Sequence, residues 1–197
     1  MNNAEQETLL KFYETARQEI LVRISARDNS LLIYLGAIAA IIGTSFQTNQ
    51  TLFLLIIPYL ALGISLIISN HHAIISALAI YCSTELGEIF YRNGILIPQW
   101  DNSSLRSKYS NRTFITRYWG DAIMINIPSI IAIITAIVTN KLNSNLFVIY
   151  VISCICFSIS ILILVFTFYH RKKLYREKHQ MLDNIVESLK NPDSINS

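Results

Sequence analysis

The sequence predicts an all-α membrane protein: four transmembrane helices in two hairpins, with cytoplasmic helical extensions at the amino end, after the second span and at the carboxyl end. Three observations predict it. Hydrophobic residues make up 52% of the 197 positions and charged residues only 15%, where a soluble domain carries about 25% charged residues. Four apolar stretches stand apart: Leu31–Phe46, a run from Leu52 that meets no full charge before Glu85, Ala122–Thr139 and Leu146–Tyr169. Finally, 15 of the 16 Lys and Arg residues agree with a single topology. The polar, mixed-charge stretch from Met1 to Asp28 predicts no cleavable signal peptide.

Residues 1–30 read as a cytoplasmic amphipathic helix. Glu5 and Glu7 suit the positive start of a helix. Leu9, Tyr13 (with Phe12), Ala16, Ile20 and Ile24 recur at helical spacing. Glu7–Lys11 and Glu19–Arg23 are i,i+4 pairs. With no Gly or Pro before the first span, one rod from about Ala4 to Phe46 is expected, with Arg27-Asp28-Asn29-Ser30 at the interface.

Residues 31–70 form the first hairpin and 121–169 the second. Their links, Gln47–Thr51 and Asn140–Asn145, are short and rich in turn formers. Orientation follows from the cations. Four lie in the amino end (Lys11, Arg17, Arg23, Arg27), five in residues 71–120, six after Tyr169 and one, Lys141, in a link. The positive-inside rule then places both termini and the middle region in the cytoplasm.

The run from Leu52 to Cys82 has 31 residues. As one helix it is about 46 Å long at ~1.5 Å per residue, against a hydrocarbon core of about 30 Å. The helix therefore emerges, and Ser69-Asn70-His71-His72 falls at the cytoplasmic headgroup level. Beyond it, Ile74, Ile75, Leu78, Ile80, Leu86, Ile89 and Phe90 fit an amphipathic continuation, with Glu88–Arg92 as an i,i+4 pair. The histidines read first as interfacial polar residues. A pH or ligand sensor is the functional alternative, since His titrates near neutrality. A metal site is disfavoured, because adjacent helical positions point about 100° apart and Ile74, Ile75 and Ser76 offer no third ligand.

Residues 71–120 combine this helical extension with a basic and aromatic loop. Arg106, Lys108, Arg112 and Arg117 are interleaved with Tyr109, Phe114, Tyr118 and Trp119. Such a mixture beside a span serves as an interfacial anchor, or holds a nucleotide or oligonucleotide through charge and stacking, or meets an acidic protein partner. Residues 170–197 form a basic helix and tail, striped by Leu174, Met181, Leu182, Ile185, Val186 and Leu189.

Small residues at four-residue spacing allow close helix packing: Gly36 with Ala40, Ala39 with Gly43, Ala61 with Ser65 and Ser69, and Ala132 with Ala136. Pro58 and Pro128 are expected to kink their helices. The spans hold no ionisable Asp, Glu, Lys or Arg, which disfavours a proton-coupled transporter. Around an oligomer axis, Thr44, Ser45, Ser65, Ser69, Ser129, Thr135, Ser153, Ser158 and Ser160 are candidate pore-lining residues. No catalytic or phosphate-cradling motif occurs, so no enzyme activity, cofactor or metal is expected. Cys82, Cys154 and Cys156 lack metal-site spacing and read as buried, reduced thiols.

The stretch EILVRISARDNSLLIYLGAIAAIIG (19–43) runs a charged helix straight into a Gly/Ala-rich span. With HHAIISALAIYCSTELGEIF (71–90) and the basic segment before the third span, the layout resembles small multi-span membrane effectors of prokaryotic anti-phage systems. These include SLATT-like proteins and four-span proteins beside CRISPR or nucleotidyltransferase genes. The resemblance implies a homo-oligomeric channel in a bacterial or archaeal inner membrane that permeabilises it on a cytoplasmic signal. On that reading Arg23, Arg27, Asp28, Asn70, His71 and His72 stand at the gate or pore entrance. Arg106, Lys108, Tyr109, Arg112 and Arg117 face the anionic ligand or partner. A non-conducting scaffold recruiting a soluble partner, and a small-solute or lipid transporter, are the alternatives.

Overall fold

The computed structural model describes the backbone of residues 3–93, 104–140 and 146–190, with all side chains there except those of Asn3, Tyr91, residues 104–117, Tyr175, His179 and residues 182–190. Every described element is helical. α1 is a single rod, Asn3–Thr48. A turn at Asn49 and Gln50 leads through a short 3₁₀ segment, Thr51–Ile56, into α2, Ile57–Ser83. α3 spans Glu85–Arg92, α4 Ser104–Asn140 and α5 Phe147–Lys190. Four helices are long and apolar enough to cross a membrane, which makes this a multi-pass membrane protein.

Local chemistry explains the breaks. Asn49 closes α1 with φ 53°, the left-handed conformation that Asn tolerates better than most residues. Ser45 seals the turn by donating to the Gln50 carbonyl at 3.0 Å. Pro58 lies in the first turn of α2, directly after the 3₁₀ segment, where a missing N–H costs nothing, so it stands at a helix start and not in a helix interior. Between α2 and α3 the hydrogen-bond ladder continues through Thr84, from Thr84 N to Ile80 O and from Glu88 N to Thr84 O, both 2.8 Å. The hydroxyls of Ser83 and Thr84 compete for the carbonyls of Ala79 and Ile80, which weakens the helix locally. The basic segment expected as a loop is helical from Ser104 onward and continuous with the third span.

The chain divides into two compact units. The span unit comprises Ser25–His71 and Thr113–Phe168. Its surface is apolar: Leu32, Ile33, Ile131, Ile134, Val138, Leu162 and Phe166 are all exposed. Its interior holds a core of Leu31, Tyr34, Ile38, Ile57, Ala61, Ile64, Ile68, Ile125, Ala132 and Leu164, and with it a set of hydroxyls. Ser65, Ser129, Ser153 and Ser160 are completely buried. Apolar outside and hydroxyl-bearing inside suits a hydrocarbon solvent, in which each polar group must be satisfied within the protein.

The hydroxyls join helices. Ser65 bonds Ser160 at 2.6 Å and Ser69 bonds Thr167 at 2.6 Å. Residue numbers rise together along these two rungs, so α2 and α5 run in the same direction. Asn126 Oδ1 lies 3.4 Å from the Ser160 hydroxyl. Tyr34 of α1 donates to the Ile125 carbonyl of α4 at 2.8 Å. Pro128 sits inside α4, where a missing N–H frees a carbonyl one turn earlier, and outside donors arriving in that turn make such a proline tolerable. At the far end Thr51 meets Thr139 at 2.7 Å and Asn140 at 2.8 Å. The small residues Ala61, Ala132 and Ala136 are buried at these contacts. Gly36 and Gly43 instead face open space.

The terminal unit is drawn from the described parts of Met1–Ile24, His72–Arg112 and Tyr169–Ser197. Ala16 and Ile20 of α1, Cys82 of α2 and Leu86 and Phe90 of α3 are buried. Tyr13 meets Phe90 edge-on at 6.2 Å, and Arg17 stacks on Tyr13 at 5.7 Å. The predicted α1 stripe thus faces inward, with Phe12 turned out. In the tail, Leu174 is half-buried and Met181 exposed, while the other predicted stripe residues lie outside the described side chains.

The seam between α2 and α5 is directly testable. Ser65→Ala keeps the volume and removes one rung, with an expected cost of about 0.6 kcal/mol. Ser160→Leu drives a large side chain into a fully closed contact, with an expected cost of about 1–3 kcal/mol. Thermal melts in detergent check the order; equal melting of Ser160→Leu and the parent would contradict a packed seam.

Candidate functional site

The best-defined polar cluster joins α2 to α5 in the terminal unit. His72 is buried, 4% exposed. Arg171 of α5 places NH1 2.8 Å from His72 Nδ1 and donates from Nε to Ser76 Oγ at 3.0 Å. Ser76 in turn donates to the His72 backbone carbonyl at 2.8 Å. A guanidinium has donors and no acceptor. The His72 Nδ1 therefore accepts, and the ring in this arrangement is neutral with its proton on Nε2. One turn of α2 supplies both acceptors, because His72 and Ser76 stand at i and i+4.

The remaining predicted gate residues are distributed as follows. Arg23, in the terminal unit, pairs with Glu19 of its own helix at 2.6 Å. Arg27, in the span unit, is 3% exposed and grips Asp28 Oδ1 from NH2 at 2.6 Å and from Nε at 3.0 Å. Burial of an arginine among apolar helices requires such a counter-charge. Asn70 is exposed. His71 is half-buried, and its Nδ1 is enclosed without a hydrogen-bond partner among the described residues. The two histidines thus point into different surroundings, as adjacent helical positions must.

Of the predicted ligand-binding set, Arg106, Lys108, Tyr109, Arg112 and Arg117 lie on the helical backbone of α4, and their side chains lie outside the described residues. A helix alters what they can do. Lys108 and Arg112 share a face at i,i+4, while Arg106 and Arg117 fall on another by register. At the start of the described stretch, buried Tyr118 packs on Phe168 at 4.6 Å and Trp119 is exposed.

The candidate pore-lining residues are mostly buried within the one chain. Ser65, Ser129, Ser153 and Ser160 are fully buried, Ser45 is 5% exposed, and Ser69 is spent on Thr167. Their hydroxyls bond within one chain because hydrocarbon leaves them no other partner. Thr135 is half-buried, and Thr44 and Ser158 remain exposed. All three cysteines are free, and Cys154 is exposed, contrary to the expectation of burial. It lines a shallow apolar groove of about 430 Å³ on α5, with Phe147, Tyr150 and Ser158.

Arg171 and Ser76 escaped the sequence reading. Arg171 registered only as one cation of the tail. The usable signal was the His72/Ser76 spacing, which puts two acceptors on one face of a helix that must emerge near a basic tail. No family model matches this chain, and neither a curated protein nor a solved structure does. The layout resemblance therefore transfers no residue roles.

Arg171→Ala removes both bonds at once and is expected to cost about 1.5–3 kcal/mol, the range for hydrogen bonds to charged groups. Arg171→Lys is not expected to restore it, since one ammonium replaces a two-pronged fork. Melting temperatures in detergent decide, and full rescue by lysine would refute the two-acceptor geometry.

Proposed function

We propose that the protein is an oligomeric membrane channel gated by its extramembrane helices. The observation that carries this reading is that the helices are shared. α1, α2, α4 and α5 each contribute residues to both units, so a signal met by the terminal part of a helix bears on a helix that also forms a span. On this reading the spans form two hairpins, with both termini and the middle segment in the cytoplasm, as the cation distribution supports. The Arg171–His72–Ser76 cluster then stands where the second and fourth spans leave the bilayer, and it belongs to the gating joint.

An oligomer is supported by the open small-residue face of α1. Gly36, Ala39, Ala40 and Gly43 are exposed, and such a face lets a neighbouring backbone approach closely. Since most hydroxyls are internal to the chain, an axis between subunits is left with Thr44 of α1 or Ser158 of α5 as polar lining, within a largely apolar wall that gates by dewetting.

A scaffold function is the second reading, favoured by one observation. Phe12, Leu21 and Val22 of α1 are 58%, 66% and 60% exposed in the terminal unit, a surface suited to a soluble partner.

Reconstitution in liposomes loaded with an ion-sensitive dye separates the two. The channel reading expects flux that changes at least about tenfold, ~1.4 kcal/mol in a gating equilibrium, when residues 1–24 are deleted. It also expects Thr44→Cys or Ser158→Cys to react with a water-soluble thiol reagent, with Cys154 replaced beforehand. No flux from either form, together with a stable soluble partner, would leave the scaffold.

A further inference from the structure

We propose that an outward ridge of α5, made by Tyr169, Lys172, Lys173 and Arg176, is a docking surface for anionic phospholipid headgroups. The proposal rests on the membrane placement of α5 and not on conduction.

The fold sorts the cations of this segment. Arg171 turns inward to Ser76 and His72, and Lys178 is buried, 6% exposed. Lys172, Lys173 and Arg176 turn outward. With Tyr169 they stand at i, i+3, i+4 and i+7, one face of a helix. Tyr169, 71% exposed, opens this ridge. In the sequence it directly follows a run, Ile161–Phe168, that holds no charged residue.

Charge is left over on this ridge. Glu177 is the one acid between Phe166 and Met181, and its carboxylate is 3.8 Å from Lys173 Nζ, an exposed i,i+4 pair. Three cations against one acid leave the face positive. Its shape decides among anions. A single convex helix face offers no second wall and no free backbone N–H groups to cup a small phosphate. A phospholipid supplies what the ridge lacks: a phosphate for the lysines and Arg176, an interfacial depth for the tyrosine ring, and acyl chains for the apolar run that precedes Tyr169 in the sequence. Lysine stems can lie along apolar surface while their ammonium groups reach the headgroups, and polybasic segments beside a span are drawn to anionic leaflets.

The experiment uses the full chain in detergent, mixed with equal amounts of phosphatidylglycerol and phosphatidylcholine, with retained lipids counted by native mass spectrometry. The parent is expected to retain phosphatidylglycerol about tenfold over phosphatidylcholine, a preference that three partly screened cations can supply. Lys172→Ala/Lys173→Ala/Arg176→Ala is expected to remove most of it, and Lys172→Arg/Lys173→Arg/Arg176→Lys to keep it. On the parent alone, a competition at about 1 M salt, analysed after rapid buffer exchange, is expected to abolish the preference. An undiminished preference in the alanine variant, a preference that survives high salt, or none in the parent overturns the proposal. A chain that stays dispersed and lipid-free without detergent overturns the membrane reading itself, and this proposal with it.

Discussion

Inside a bilayer, a hydroxyl or a carbonyl has no water to turn to. That constraint shapes the span unit more than any apolar contact does. Lipid chains are as apolar as leucine, so helices gain little by burying leucine against one another. They gain by close approach and by satisfying polar groups that otherwise lie bare. The serines at 65, 129, 153 and 160 meet both needs, being small enough to admit a neighbouring backbone and bonded within the chain. The span unit departs from a soluble protein in its surface, with isoleucine facing the solvent, and in the serines buried beside its apolar core.

The same need for a partner holds for the buried charged and ring groups. Arg27 is tolerated in the span unit because Asp28 stands next to it in the chain. His72 is tolerated because the Arg171 guanidinium donates to its ring nitrogen. Neither group is exposed to the degree its polarity suggests.

The four spans and the rod of α1 were legible in the sequence because each rests on long runs: hydropathy over about 20 residues, and a stripe repeated over several turns without Gly or Pro. What stayed illegible was direction. A single serine in a run of isoleucine carries no sign of which face it occupies, so Ser65 and Ser160 read equally well as pore lining or as seam. Only the neighbouring helix decides. The segment from Ser104 to Arg117 was misjudged for a related reason. Its basic and aromatic residues lack an amphipathic period, yet it continues α4, because a helix already nucleated in the third span propagates backward cheaply. Pro58 was read as an interior proline, since the 3₁₀ turn that moves it to a helix start has no composition of its own.

The rungs between α2 and α5 also set how those helices can move. Ser65 meets Ser160 and Ser69 meets Thr167, each at 2.6 Å. Advancing one helix past the other by a single residue shifts it about 1.5 Å and turns its face by about 100°, which separates both hydroxyl pairs together. A slide of one residue thus costs both hydroxyl bonds, so the two rungs together fix the register of α2 against α5.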